Sequence, residues 1–332
     1  MYLNFYCYII FIPLIFITSM NSLILNSWIS MWMNMEINLI SFIMLMLFEK
    51  SKIFKNSIEY YLIQTFNSYL FLFSSMFLNL NFIFYFMYLA MISKIGMPPF
   101  HFWYIKIFKN LNWNNMILLS TIQKIIPLMI ISSMMNNYKN MKYMNLLILI
   151  MLMFGMIFSI ININLINIKM IMAYSSIIQM SWIIIMLLIS EKYFFIYFLI
   201  YSLINMNLLM IFKNLKILSL NDINKNYFNS FKIFLLMMTI MSLAGLPPYF
   251  GFFLKWISIY SMTNYFTNTL ILYFIFISLI SMFFYSRILI FSLLNFKLLN
   301  KMNFKFKSFK MNWWTIYLNW MLTFLLMSYE MI

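Results

Sequence analysis

Four ionisable side chains stand inside long apolar runs of this sequence: Glu36, Lys94, Lys124 and Lys255. A carboxylate and amines in such surroundings suit one kind of chemistry, the reversible gain and loss of a proton. Desolvation disfavours a lysine ammonium and a nearby carboxylate favours it, so a buried lysine's proton depends on its neighbours. A charged residue at the centre of a membrane helix costs roughly 2.5 to 3.5 kcal/mol, so four left unpaired cost on the order of 10 kcal/mol. Packing alone does not retain them. Glu36 is the one acid deep in a run, because Glu49, Glu59, Glu191, Asp222 and Glu330 lie at or near run ends. It is therefore the expected partner of Lys94, which lies about twelve residues, roughly 18 Å, from either end of its run and too deep to snorkel. Opening that pair would let Lys94 release its proton toward Lys124 and Lys255 through water and hydroxyls such as Ser120 and Thr121. The competing reading is a fixed ion pair, with the other two lysines reaching the headgroups.

Two of these lysines adjoin a repeated interruption of the backbone. Lys94-Ile95-Gly96-Met97-Pro98-Pro99-Phe100 and Ala244-Gly245-Leu246-Pro247-Pro248-Tyr249-Phe250 each place a glycine just before a double proline. Proline has no amide hydrogen, so Pro98 and Pro99 free the carbonyls of Lys94 and Ile95, and Pro247 and Pro248 free those of Leu243 and Ala244. Those carbonyls need a partner or water. The single histidine, His101, follows the first break beside Phe100, Phe102 and Trp103, where it reads as a structural hydrogen-bonder with a proton relay as the alternative.

These residues need helices crossing a membrane to hold them. Of 332 residues, 65% are hydrophobic and 8% charged, too little polar surface to coat a water-soluble body of this size. The apolar runs match the roughly 20 residues that carry a helix across about 30 Å of hydrocarbon, and they lack the alternation of barrel strands. The expected fold is an all-α polytopic membrane protein of eleven spans, about 2–24, 28–48, 58–79, 81–107, 114–135, 144–163, 168–189, 193–212, 231–262, 267–294 and 313–331. Short connections make it one transmembrane bundle over 1–332, with a first half of about 1–135, a second of about 144–294 and a C-terminal helix. The breaks fall in spans four and nine. Five is an odd offset, which reverses the direction of crossing, so the halves form an inverted repeat, the pattern that points to an ion path in transporters.

Composition excludes other functions. Cys7 is the only cysteine, so this chain makes no internal disulfide and supplies no iron–sulfur cluster, and one histidine rules out bis-histidine haem. No bound cofactor or metal is expected. A net charge of +16 does not indicate nucleic acid here, because the lysines sit in connections between runs. Lys50, Lys52, Lys55, Lys109, Lys169, Lys213, Lys216, Lys225 and the group from Lys297 to Lys310 fall in even-numbered connections; only Lys139, Lys142 and Lys192 fall in odd ones. That asymmetry sets the even connections and the N-terminus on the side of insertion, and the C-terminus opposite. No cleavable leader is expected ahead of Tyr2. Trp28, Trp113, Trp313 and Trp314 read as interfacial belt residues, Arg287 as reaching the interface or a lipid phosphate, and 297–310 as a surface loop facing anionic lipid. Valine is absent while Met, Ile, Asn, Phe, Lys and Tyr abound, which points to an A/T-rich, organellar genome.

Several strings, taken together, resemble the chain 2 family of NADH:ubiquinone oxidoreductase, respiratory complex I, in its shortened insect form. They are Trp32 to Phe42 (WMNMEINLISF), Lys94 to Trp103 (KIGMPPFHFW), QKIIP with Gln123, Lys124 and Pro127, MAYSSIIQMSW over 172–182 and SLAGLPPYFGFFLKW over 242–256. The resemblance runs nearly the full length. It lands the family's membrane glutamate on Glu36 and its lysines on Lys94, Lys124 and Lys255. Two positions depart from the pattern: Gln179 stands where the family often has histidine and cannot titrate near neutral pH, and Leu254 replaces the proline before Lys255.

The resemblance implies an antiporter-like subunit of the membrane arm that moves protons while NADH oxidation and ubiquinone reduction, with their FMN and iron–sulfur clusters, occur in other subunits. Glu36 would modulate Lys94, Lys124 would link the halves and Lys255 would handle exchange toward the other face. It implies the mitochondrial inner membrane, with a matrix N-terminus and an intermembrane-space C-terminus. The implied partners are other core and accessory membrane-arm subunits and phospholipids including cardiolipin. Eleven spans would fit loss of the first three spans of a longer bacterial form. Two rivals share these features: a stand-alone cation/proton antiporter, and a structural membrane subunit with no proton path of its own.

Overall fold

A computed structural model describes residues 2–25, 27–48, 54–77, 83–137, 144–225 and 230–301. Leu, Ile, Met and Phe dominate the chain, and where no water can satisfy the backbone, helix is the conformation that pairs amides and carbonyls within one segment. Helix is accordingly what forms; the β pairing among the described residues is one isolated bridge, Asn167 to Ser219. Many serines and threonines donate back to a carbonyl three or four residues earlier, as Ser41 does to Asn38 and Ser74 to Leu70. Hydroxyls can then lie in an apolar bundle without a partner helix.

The chain divides into two compact units, Met1–Met151 and Leu152–Ile332. The first holds α1 (Tyr2–Asn21), α2 (Trp28–Leu47), α3 (Phe54–Met76), α4 (Ile83–Ile95), α5 (Phe102–Asn110), α6 (Trp113–Ser120) and α7 (Ile122–Asn137). Helix α2 packs between α1 and α3, α4 lies against α3 and α7, and α5 returns onto α3. Met31, Met35, Asn38, Leu39 and Phe42 recur at helical spacing on α2 and form its buried face. Ser27 caps that helix by accepting from the Ser30 amide.

Helix α8 (Met144–Ile163) crosses the boundary, and the second unit continues with α9 (Ile168–Ile189), α10 (Glu191–Leu215), α11 (Leu220–Lys225), α12 (Ser230–Ala244), α13 (Phe250–Thr263) and α14 (Asn268–Lys301). Helix α9 is apolar nearly all round and buried along most of its length, the mark of a central element. It packs on α10 and α13, and α12 packs on α10 and α14. Arg287 of α14 donates through both terminal nitrogens to the carbonyls of Ile163 and Leu165. It thereby closes the C-terminal end of α8, where carbonyls lack helical partners.

Over their described residues the first ten expected spans coincide with helices; the eleventh, about 313–331, lies outside the described residues, as do Trp313, Trp314 and 302–312. Spans four and nine are broken as expected, into α4/α5 and α12/α13. Span five is also broken, at Thr121, whose φ of −120° and ψ of −76° leave the helical region between α6 and α7. Residues 297–301 of the expected surface loop prolong α14 instead. By length and composition, Trp28–Leu47, Trp113–Met135, Ile168–Ile189, Glu191–Leu215 and Asn268–Leu294 can each cross a membrane.

Candidate functional site

The two breaks are built alike. At the end of α4 the amides of Gly96 and Met97 both turn back to the Ile92 carbonyl, each at 3.1 Å, and Gly96 takes a φ of +79°. At the end of α12 the amides of Gly245 and Leu246 turn back to Met241 at 3.2 and 3.3 Å, and Gly245 takes a φ of +77°. Glycine is needed twice over, since an L side chain resists that φ and a Cβ on Gly96 would lie 2.7 Å from the Cβ of Tyr104. Both Pro-Pro peptides are cis.

The freed carbonyls find partners from protein. Gln64 of α3 donates to the Lys94 carbonyl at 3.2 Å, and the Trp103 indole donates to the Ser93 carbonyl at 3.0 Å. In the second unit, the Lys255 ammonium donates to the Ala244 carbonyl at 2.6 Å. Lys94 therefore sits where the helix ends, with its carbonyl held by one neighbour and its side chain turned inward.

That side chain meets Lys124 across a cavity. Lys94 is 8% exposed and Lys124 2%, and both line one space of about 30 Å³ together with Asn38, Gln64, Gln123 and Tyr104. Such a space has room for roughly two or three waters, on the measure of about 10–15 Å³ that holds one. The Lys94 ammonium rests on the Met35 sulfur at 3.4 Å, a weak acceptor. The Lys124 ammonium lies 4.7 Å above the centre of the Tyr104 ring. Gln123 donates to the Asn38 side-chain oxygen at 2.7 Å, presenting an amide pair to the cavity. The Thr121 break starts α7 one turn before Lys124, whose amide bonds to the Thr121 carbonyl at 3.2 Å.

The expected Glu36–Lys94 pair is not an ion-pair contact. Glu36 is within electrostatic reach of Lys94, yet one carboxylate oxygen is buried without a hydrogen-bond partner. Successive helical residues are turned about 100° apart, so Met35 takes the direct approach to Lys94 and Glu36 faces sideways. His101 is buried, with Nδ1 3.1 Å from the Pro99 carbonyl, and it does not line the cavity. Ser120 and Thr121 do not line it either; their hydroxyls donate to the Ile117 carbonyl at 3.2 and 2.7 Å.

In the second unit Lys255 is half-buried on α13. Gln179, buried on α9, accepts from the Tyr197 hydroxyl at 2.7 Å. Among the described residues no three His, Cys, Asp or Glu side chains gather as metal ligands. The site residues that sequence reasoning misses are Gln64, Asn38, Tyr104 and Lys106. Superposing the two Gly-x-Pro-Pro strings sets Lys106 on Lys255 and Leu243 on Lys94, so a signal for the true counterpart of Lys255 does exist. Lys106 turns outward to Glu59 at 2.5 Å.

Comparison with known proteins gives the same architecture. Residues 75–281 match the family described as NADH:quinone oxidoreductase/Mrp antiporter, TM. NADH-ubiquinone oxidoreductase chain 2 of Anopheles gambiae is 33% identical over 276 residues, covering 79% of each chain. That of Artemia franciscana is 34% identical over 272 residues, covering 81% of this chain and 84% of the relative. A chain of respiratory complex I from Thermus thermophilus with bound aureothin aligns with a TM-score of 0.73 at 15% identity, covering 91% of this chain and 72% of its own. At that identity the likeness is one of fold.

Proposed function

The chain belongs to the chain 2 family of NADH-ubiquinone oxidoreductase, and we propose that it is the proton-translocating membrane subunit that this family contributes to the enzyme. The observation that carries the reading is the polar cavity shared by Lys94 and Lys124 inside an apolar unit. A protonated Lys94 gives its proton from Nζ to cavity water, and neutral Lys124 takes one at its own Nζ; charge moves between helices with no bond made or broken elsewhere. Among the described residues neither lysine has an ion-pair partner in contact, so neither proton is locked in place. Glu36 acts on Lys94 through the field rather than by contact, which lets a change beside Glu36 bias the proton without passing it. Lys255 serves proton exchange in the second unit, where its ammonium already holds a broken-helix carbonyl.

The chain supplies no redox group under this reading. NADH, FMN, iron–sulfur clusters and ubiquinone belong to other subunits, whose electron transfer drives the step by electrostatic and conformational coupling. The neighbours are other membrane-arm subunits and phospholipid, and the site of action is the mitochondrial inner membrane. Lysine asymmetry between connections supports a matrix N-terminus and an intermembrane-space C-terminus.

Lys94→Met and Lys124→Met in the intact complex test the proposal. Each should assemble, with the rate of proton pumping reduced about 100-fold, the lower end of what a placed proton-transfer group supplies. Parental pumping in both variants would leave only a structural role. Cation transport by the purified chain alone in vesicles would favour the free-standing antiporter instead.

A further inference from the structure

Tyr104 connects the first helix break to Lys124. It stands in the first turn of α5, just past the break, 1% exposed. Its Cβ lies over Gly96 so closely that a methyl there would be 2.7 Å away. Its ring is braced on the other sides by Trp103, edge-on at 5.8 Å, and Phe108 at 5.3 Å. Tyr104 lines the cavity, and the Lys124 ammonium lies over its ring, 4.7 Å from the centre.

An aromatic face attracts a cation within about 6 Å of its centre, and the attraction strengthens when water is excluded. It acts on the ammonium and not on the neutral amine. The other titratable groups in the cavity wall are Lys94 from α4 and Tyr60 from α3; among the described residues α1, α2 and α6 contribute none, and no carboxylate lines it. The ring is thus a contact of the Lys124 ammonium that favours its charged form, in a cavity that Lys94 also lines. Resting on the proton-path reading above, we propose that Tyr104 is a positioning residue whose ring stabilises the protonated form that Lys124 takes on receiving the proton, and which ties that lysine to the helix break.

The test compares Tyr104→Phe and Tyr104→Leu in the assembled complex, reading proton pumping and NADH oxidation across pH. Tyr104→Phe keeps the ring and should keep the parental pH profile. Tyr104→Leu removes it, and the alkaline fall of pumping should move about 0.5 to 1.5 pH units toward acid, the span that cation–π attraction corresponds to. If Tyr104→Leu fails to assemble, Tyr104→Met, of similar bulk and without an aromatic face, should show the same shift. An unmoved profile in the ringless variant, or an equal shift in Tyr104→Phe, overturns the proposal. Lys124→Met separates the two levels. Parental pumping in that variant removes the proton role on which this rests, whereas lost pumping there with an unmoved Tyr104→Leu profile removes the role of Tyr104 alone.

Discussion

The two helix breaks share a backbone and differ in what occupies the space over the glycine. At the first, Tyr104 lies over Gly96, Phe102 stands 75% exposed at the head of α5, and Lys106 points away to Glu59. At the second, Gly251 takes the place of Phe102, so the first turn of α13 comes against the Ser242 carbonyl, and Lys255 lies over Gly245. The lysines stand ten residues past their glycines in both halves, yet one turns in and the other out. One missing Cβ at Gly251 brings α13 close enough for its lysine to reach the broken end of α12. The first half fills the same space with an aromatic ring and obtains its buried charge from Lys94 at the end of α4 instead. A repeated helix break can therefore keep its backbone while moving the ionisable group to the other side of it.

The substitution that should disturb this difference most is Gly251→Ala. The new methyl would collide with the Ser242 backbone carbonyl, which a side-chain rotation cannot relieve. Overpacking of this kind costs about 3 kcal/mol or more, and the yield of assembled complex should fall accordingly. Phe102→Ala, at the matching exposed position, should stay within about 0.5 kcal/mol. Native gel electrophoresis of the complex and its thermal unfolding midpoint measure both. Equal tolerance of the two substitutions would mean that helix approach does not distinguish the breaks.

Next in size is the pair Lys255→Met and Lys106→Met. Removing Lys255 leaves the Ala244 carbonyl without its donor, a loss of about 1–3 kcal/mol for a buried group, and should impair pumping as well. Lys106 is 52% exposed in its pair with Glu59, so its replacement should cost less than about 1 kcal/mol and leave pumping intact. Pumping lost equally in both would show that the inward or outward turn of the lysine is immaterial.

Much of this arrangement is legible in the amino-acid sequence. Apolar run lengths mark the helices, and the two Gly-x-Pro-Pro strings mark the breaks, because proline's missing amide acts wherever it occurs. Lys94 and Lys124 declare themselves by charge in apolar surroundings. The Thr121 break does not, since a threonine that bonds back to its own helix looks the same in a straight helix and a bent one. The Glu36–Lys94 pair fails as a contact because burial identifies which charges share a region, while rotation about α2 decides which side chain arrives, and Met35 arrives. Gln64 carries no signal of its own; a buried amide becomes a helix cap only once packing brings a freed carbonyl to it. The charge of Arg287 carries no sign of its contacts with the carbonyls at the end of α8, which only packing brings to it.

The smallest effect is the sharpest probe of the outward lysine. In a double-mutant cycle with Glu59→Gln and Lys106→Gln, thermal stability of the complex should reveal a coupling of about 0.2–1 kcal/mol, as for solvent-facing pairs. Raising salt to 1 M shortens the screening length to about 3 Å and should remove most of that coupling. A coupling above about 3 kcal/mol that ignores salt is the behaviour of a buried pair. In that event Lys106 would be as enclosed as Lys255, and the difference between the two breaks would lie in which group each lysine meets rather than in whether it meets the interior at all.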